Sequence, residues 1–140
     1  MKPLRVVLLA LNSPGYRSLG CAYVRAYAQH DRHLSGLVAF QTLDLDAGTD
    51  PWWVAYRVLQ LEPDVIGASF TCWSARDMHE ALRVVRAASP STFVVAGGPE
   101  VSPVAVTALE RHAHLDSRGA GRRGDHVRGR LARARRCGTA

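Results

Sequence analysis

The residues best placed to do chemistry in this chain are Gly97-Gly98-Pro99-Glu100-Val101-Ser102, directly after the apolar run Thr92 to Ala96. Two glycines at the end of a buried strand remove side chains where the backbone turns, so a ligand can lie against bare peptide groups. Ser102 then offers an N-cap and Pro103 a first helical residue, which would aim free N–H groups at the same place. Such a turn binds and orients. The same spacing also makes a tight strand-to-helix turn that holds no ligand, and both readings stay open here. Apart from Glu100, no acid, base or nucleophile stands at this turn, and no Ser/His/Asp arrangement is visible.

Two further loops carry ligand-facing residue types. Asn12-Ser13-Pro14-Gly15-Tyr16-Arg17-Ser18 lacks GxGxxG and GxxxxGK[ST], which argues against a dinucleotide or P-loop site. Gly15 and Ser18 could expose backbone N–H groups, while Tyr16 and Arg17 could cover a ligand's face or edge; Pro14-Gly15 could equally make a plain turn. Thr71-Cys72-Trp73 places an indole at a strand end, a flat platform with one donor that suits a large planar ligand or caps the local core. Cys72 reads as a small packing residue. Trp52 and Trp53 cannot share a helix face, so one is expected in the core and the other at an interface or ligand rim. Histidines 30, 33, 79, 112, 114 and 126 show no metal-ligand spacing, and no metal site is expected.

These loops must be held by strands and helices. Arg5–Leu11 and Asp64–Phe70 are continuous apolar runs, as in strands buried on both faces. Residues 37–44 and Thr92–Ala96 supply two more strands. Helices are expected from Leu19 to about Gln29, with Ala22, Tyr23, Ala26 and Tyr27 as its apolar residues, and from Asp50-Pro51 to about Leu61. A third follows the Ser74/Asp77 capping box, with Met78, Ala81, Leu82 and Val85 as its core stripe. A fourth runs from Pro103 to about His112. The order βαβαβαβα predicts an α/β fold, a doubly wound, flavodoxin/Rossmann-like parallel sheet. Loops 12–18, 70–74 and 97–102 would then share its carboxyl edge. Nothing after Asp116 alternates or runs apolar, so the fifth strand is expected to be missing or degraded.

Size and charge bound the rest. At 140 residues and 47% hydrophobic, the chain fits one globular domain. No apolar run approaches the ~20 residues that cross a bilayer, and three scattered cysteines suit a reduced, cytoplasmic setting. The net charge of +6 is unevenly spread: residues 1–110 hold 9 Lys+Arg against 10 Asp+Glu, and residues 111–140 hold 9 Arg against 2 Asp. That shift predicts a boundary between a domain at 1–116 and an Arg/Gly-rich, disordered tail at 117–140.

Three stretches, LLALNSPGYRSLG, DPWWVAYRVLQLEPDVIGASFTCW and TFVVAGGPEVSP, resemble the N-terminal cobalamin-binding domain of cobalamin-dependent radical-SAM proteins. The resemblance spans roughly residues 3–116. It implies a corrin lying across the carboxyl edge of a Rossmann-like sheet. Asn12, Ser13, Gly15, Tyr16 and Ser18 would border the corrin or its tail. Ser69, Thr71 and Trp73 would sit under the ring, and Gly97, Gly98, Pro99, Glu100 and Val101 would pack on ring amides and tail. The Asp-x-His-x-x-Gly motif of methionine-synthase-like domains is absent, so no histidine is expected beneath cobalt. The CxxxCxxC of an iron–sulfur cluster is absent too, so the chain is not expected to be a catalyst on its own.

The family continues with a short strand and a Gly-Glu-Gly-Glu turn where this chain turns Arg/Gly-rich. One codon choice for residues 123–128, read from its second base, encodes Gly-Glu-Ile-Thr-Phe, so a frameshifted or truncated family member is the expectation. Two alternatives remain: a flavodoxin-like interaction or regulatory module with no corrin ligand, and a nucleic-acid binder driven by its basic tail. The tail has no interleaved aromatic residue for base stacking, which counts against the second. The expected partners are cobalamin and a radical-SAM catalytic domain or chain, with no membrane.

Overall fold

The computed structural model describes residues 2–100 and 110–118. Along them run β1 (Leu4–Asn12), α1 (Leu19–His30), β2 (Val38–Asp46), α2 (Pro51–Gln60), β3 (Val65–Ser69), α3 (Ala75–Ala88), β4 (Phe93–Gly97) and β5 (Ser117–Arg118). All strand pairs are parallel, in the order β2-β1-β3-β4-β5. This is the expected flavodoxin-like α/β sheet. Among the described residues no helix is long and apolar enough to cross a membrane.

β1 shows why its run is unbroken. Alternate side chains point to opposite faces of a strand, and here both faces are covered. Val7, Leu9 and Leu11 enter one core with Val54, Ala55 and Val58 of α2 and Met78, Ala81, Leu82 and Val85 of α3. Val6, Leu8 and Ala10 enter a second core with Cys21 of α1. Each fully buried aliphatic side chain of this size contributes about 1.5–3 kcal/mol.

α1 departs from expectation. Its buried positions are Cys21 and Ala28, with Val24 packed partly beside them, while Ala22, Tyr23, Ala26 and Tyr27 face outward. Both sets recur at helical spacing, and the smaller residues fit the close approach to β1. Ser74 caps α3 by position only: its Oγ bonds Thr71 Oγ1 at 2.7 Å instead of a helix N–H.

The fifth strand is a two-residue stub, Ser117–Arg118, paired to Val95 and Ala96 of β4, on the tail side of the boundary expected at 116. Arg86 of α3 holds its approach. That guanidinium donates to the carbonyls of Pro90 (2.8 Å), Thr92 (2.9 Å) and His114 (3.3 Å) and to the Asp116 carboxylate. The same carboxylate accepts the Val94 N–H at 2.7 Å. Residues 119–140, which carry the expected disorder and frameshift, lie outside the described residues. So do residues 101–109, which include most of the fourth helix expected from Pro103; Glu110 and Arg111 are helical.

Candidate functional site

Parallel pairing sends every strand's carboxyl end to one edge. Ala10, Ser69 and Gly97 stand in a row across β1, β3 and β4, so segments 12–18, 70–74 and 97–100 emerge side by side. Helices α1, α2 and α3 follow β1, β2 and β3 and begin at this same edge, which gathers three N-termini there. Ser18 caps α1 by accepting the Cys21 N–H at 3.2 Å. Asp50 caps α2 by accepting from Trp52 (2.9 Å) and Trp53 (3.2 Å), with Pro51 as the first helical residue.

One carboxylate organises the first loop. Asp44 Oδ1, near the end of β2, accepts from Asn12 Nδ2 at 2.7 Å and from the Ser18 N–H at 3.0 Å. Between those points the Tyr16 N–H closes a turn on the Ser13 carbonyl at 3.0 Å, and Gly15 adopts φ +83°. The sequence reading missed Asp44, because only the β1–β2 register brings it beside Asn12.

The glycine turn is fastened to the second loop. The Phe70 N–H donates to the Gly97 carbonyl at 2.8 Å, and the Glu100 N–H donates to the Phe70 carbonyl at 3.3 Å. Gly98 has φ +99°, and a Cβ there would collide with the Phe70 backbone. The packing of the turn is thus sufficient reason for glycine at 98. Gly97 is different: a Cβ would come no nearer than 3.9 Å, to the Ala68 carbonyl.

Of the expected contact residues, Asn12, Ser18, Ser69, Thr71, Gly97 and Gly98 are half-buried; Ser13, Gly15, Tyr16, Trp73, Pro99 and Glu100 are exposed. Val101 lies outside the described residues. Trp73 is 60% exposed and Tyr16 75%, so neither ring serves the core. Cys72 is exposed as well, contrary to its reading as a packing residue, because α3 turns inward only at Ser74. Neither Trp52 nor Trp53 is core: Val54, Ala55 and Val58 fill that face of α2. Trp53 stacks on Tyr56 with centroids 5.3 Å apart, and Asp50, Trp52, Trp53 and Tyr56 line an open hollow.

Three of the six histidines, which show no metal-ligand spacing along the sequence, come together in the fold. His79 of α3 meets His112 and His114, which follow the last described helical turn. His79 Nδ1 and His114 Nε2 are 2.8 Å apart, and the His79 and His112 rings stack at 3.9 Å. Burial, then neighbouring positive charge, holds all three below the ordinary imidazole range, His79 and His114 down to about 4. The His-x-His pair at 112–114 was visible in the sequence; its approach to His79 was not.

No family model matches the chain. It is 26% identical over 117 residues to the cobalamin-dependent radical SAM methyltransferase TokK of Streptomyces tokunonensis. It is equally identical, over the same length, to a 2-(S-pantetheinyl)-carbapenam-3-carboxylate methyltransferase of Streptantibioticus cattleyicolor. Each match covers 80% of this chain and 16% of the relative, so the chain spans about one-sixth of the length of these curated relatives. Among solved structures it resembles a cobalamin-binding protein from Desulfitobacterium hafniense, with TM-score 0.65, 20% identity, and coverage of 94% of this chain and 59% of that one. The RcsB response regulator of Salmonella typhimurium shares the fold at TM-score 0.63 and 9% identity, over 97% of this chain and 61% of that one. By sequence the chain is thus similar to cobalamin-dependent radical SAM methyltransferases, and by fold to a cobalamin-binding protein.

Proposed function

We propose that this chain is a cobalamin-binding module, not a catalyst on its own, that presents its corrin to a radical-SAM domain or chain. One observation carries the reading: the row Ala10–Ser69–Gly97 brings three loops to one rim, in a chain similar to a cobalamin-dependent methyltransferase.

The residues at that rim fit a broad flat ligand. Tyr16 and Trp73 offer exposed ring faces there. Gly15, where a Cβ would meet nothing within 4 Å, and Gly97 leave peptide surface uncovered. Asn12, Ser13 and Ser18, then Ser69 and Thr71, then Gly98, Pro99, Glu100 and Val101 complete the proposed contacts. No histidine lies in the loop 12–18, so this loop would leave the lower face of cobalt without an imidazole. Cobalamin, when bound, supplies cobalt-centred group-transfer chemistry. The chain's part is to bind and orient, with the iron–sulfur machinery supplied elsewhere.

The test is a spectrum. Purified chain is mixed with hydroxocobalamin, freed of unbound ligand by gel filtration, and read in the visible. Retained corrin absorbance that falls in Trp73→Ala and Tyr16→Ala, with unchanged circular dichroism, supports the module. Folded but colourless protein overturns it and favours an interaction module on the fold shared with the response regulator.

A further inference from the structure

We propose that His79, His112 and His114 form a site for one divalent transition-metal ion of the zinc class, between α3 and the segment leading into β5 and independent of any corrin. Their candidate ligand nitrogens all lie within 4.8 Å of one another. Imidazole suits zinc, copper, nickel and cobalt ions, and three such ligands leave a fourth position for water or an anion.

Three further observations support the site. His114 is only 4% exposed, and the His112 Nδ1 is buried with no hydrogen-bond partner among the described residues. A buried polar nitrogen without a partner calls for an explanation, and a metal ion supplies one. Burial pushes all three rings toward the neutral form, the state a metal ligand needs. Binding then requires one proton of the His79–His114 pair to move to the other nitrogen of its ring, with no net gain or loss. The support is also in place: the Phe70 ring lies 4.6 Å from that of His79, and Arg86 holds the His114 carbonyl at 3.3 Å. Arg83, Arg86 and Arg111 bring opposing positive charge, which weakens the site and favours an anion in the fourth position. Arg86 is already paired with Asp116.

A metal here would tie α3 to the segment that leads into β5, across 35 residues between His79 and His114. Such a clip limits the unfolded chain and so raises stability.

Tag-free chain is stripped with chelator, kept free of cobalamin, and titrated with Zn2+ by calorimetry; Co2+ uptake is followed by its visible absorption. The expected result is one Zn2+ per chain, a higher melting temperature, and at least tenfold weaker binding in His112→Gln and His79→Gln. His30→Gln and His33→Gln serve as controls that keep full affinity. His112 is half-exposed, so its variant keeps the test meaningful if one at the buried His114 fails to fold. No zinc uptake by folded protein, or equal affinity in His112→Gln and wild type, overturns the proposal.

Discussion

Gly98 packs directly on the backbone of Phe70, in a left-handed conformation at φ +99° that leaves no space for a side chain. The turn after β4 and the loop after β3 are therefore one unit, cross-bonded through Gly97, Phe70 and Glu100. Gly98→Ala is expected to lower stability by at least about 1–2 kcal/mol from backbone strain alone. Gly97→Ala, which meets only ordinary contacts, is expected to be neutral or slightly stabilising. Urea denaturation compares the two; equal midpoints would contradict this account.

Asp44 is expected to matter more than its half-buried position suggests. Asp44→Ala strands the Asn12 amide and the Ser18 N–H together, a loss of about 1–3 kcal/mol. Asp44→Asn keeps one acceptor oxygen and should lose less. Amide exchange at Ser18 reads the local effect: the alanine variant should exchange faster, and unchanged protection there would refute the role.

The two described cysteines should separate by reactivity. Cys72 is exposed at the rim, whereas burial pushes the Cys21 thiol up and shields it under α1. Iodoacetamide should label Cys72 in folded protein within minutes and Cys21 only on unfolding. Mass spectrometry of tryptic peptides tells them apart, and comparable labelling of both would contradict the packing of α1.

The metal-free protein should lose stability in mild acid. His79 and His114 titrate near 4 when folded, against 6.5 in model peptides, so the unfolded chain binds their protons first. Stability is then greatest above about pH 6.5 and falls as pH drops toward 4. Arg83 and His112 reinforce this, since each disfavours further positive charge. Melting temperatures between pH 7.5 and 4 provide the check. His79→Gln should flatten the slope; an identical slope in that variant would assign it to other groups.

Much of the architecture was legible from the chain. The runs at β1 and β3 announced strands covered on both faces, and Asp50-Pro51 announced the start of α2, because burial and capping are local demands. The stripe Met78, Ala81, Leu82 and Val85 was legible for the same reason. What escaped was set by register or by competing patterns. In α1 two apolar stripes coexist, and packing against β1 chose the one with Cys21 and Ala28. Asp44 and the three histidines came together only through the order of strands, which no local window contains. At the rim, the sequence supplied the loops and the topology supplied their adjacency.

Because Asn12 and Ser18 hang from a single oxygen of Asp44, residues 13–17 form a handle with both ends riveted to the β2 side. Swinging that handle would carry Tyr16 over or away from the rim without unwinding the first turn of α1. Such a movement belongs to the fast timescale of a small surface loop and leaves the scaffold beneath undisturbed.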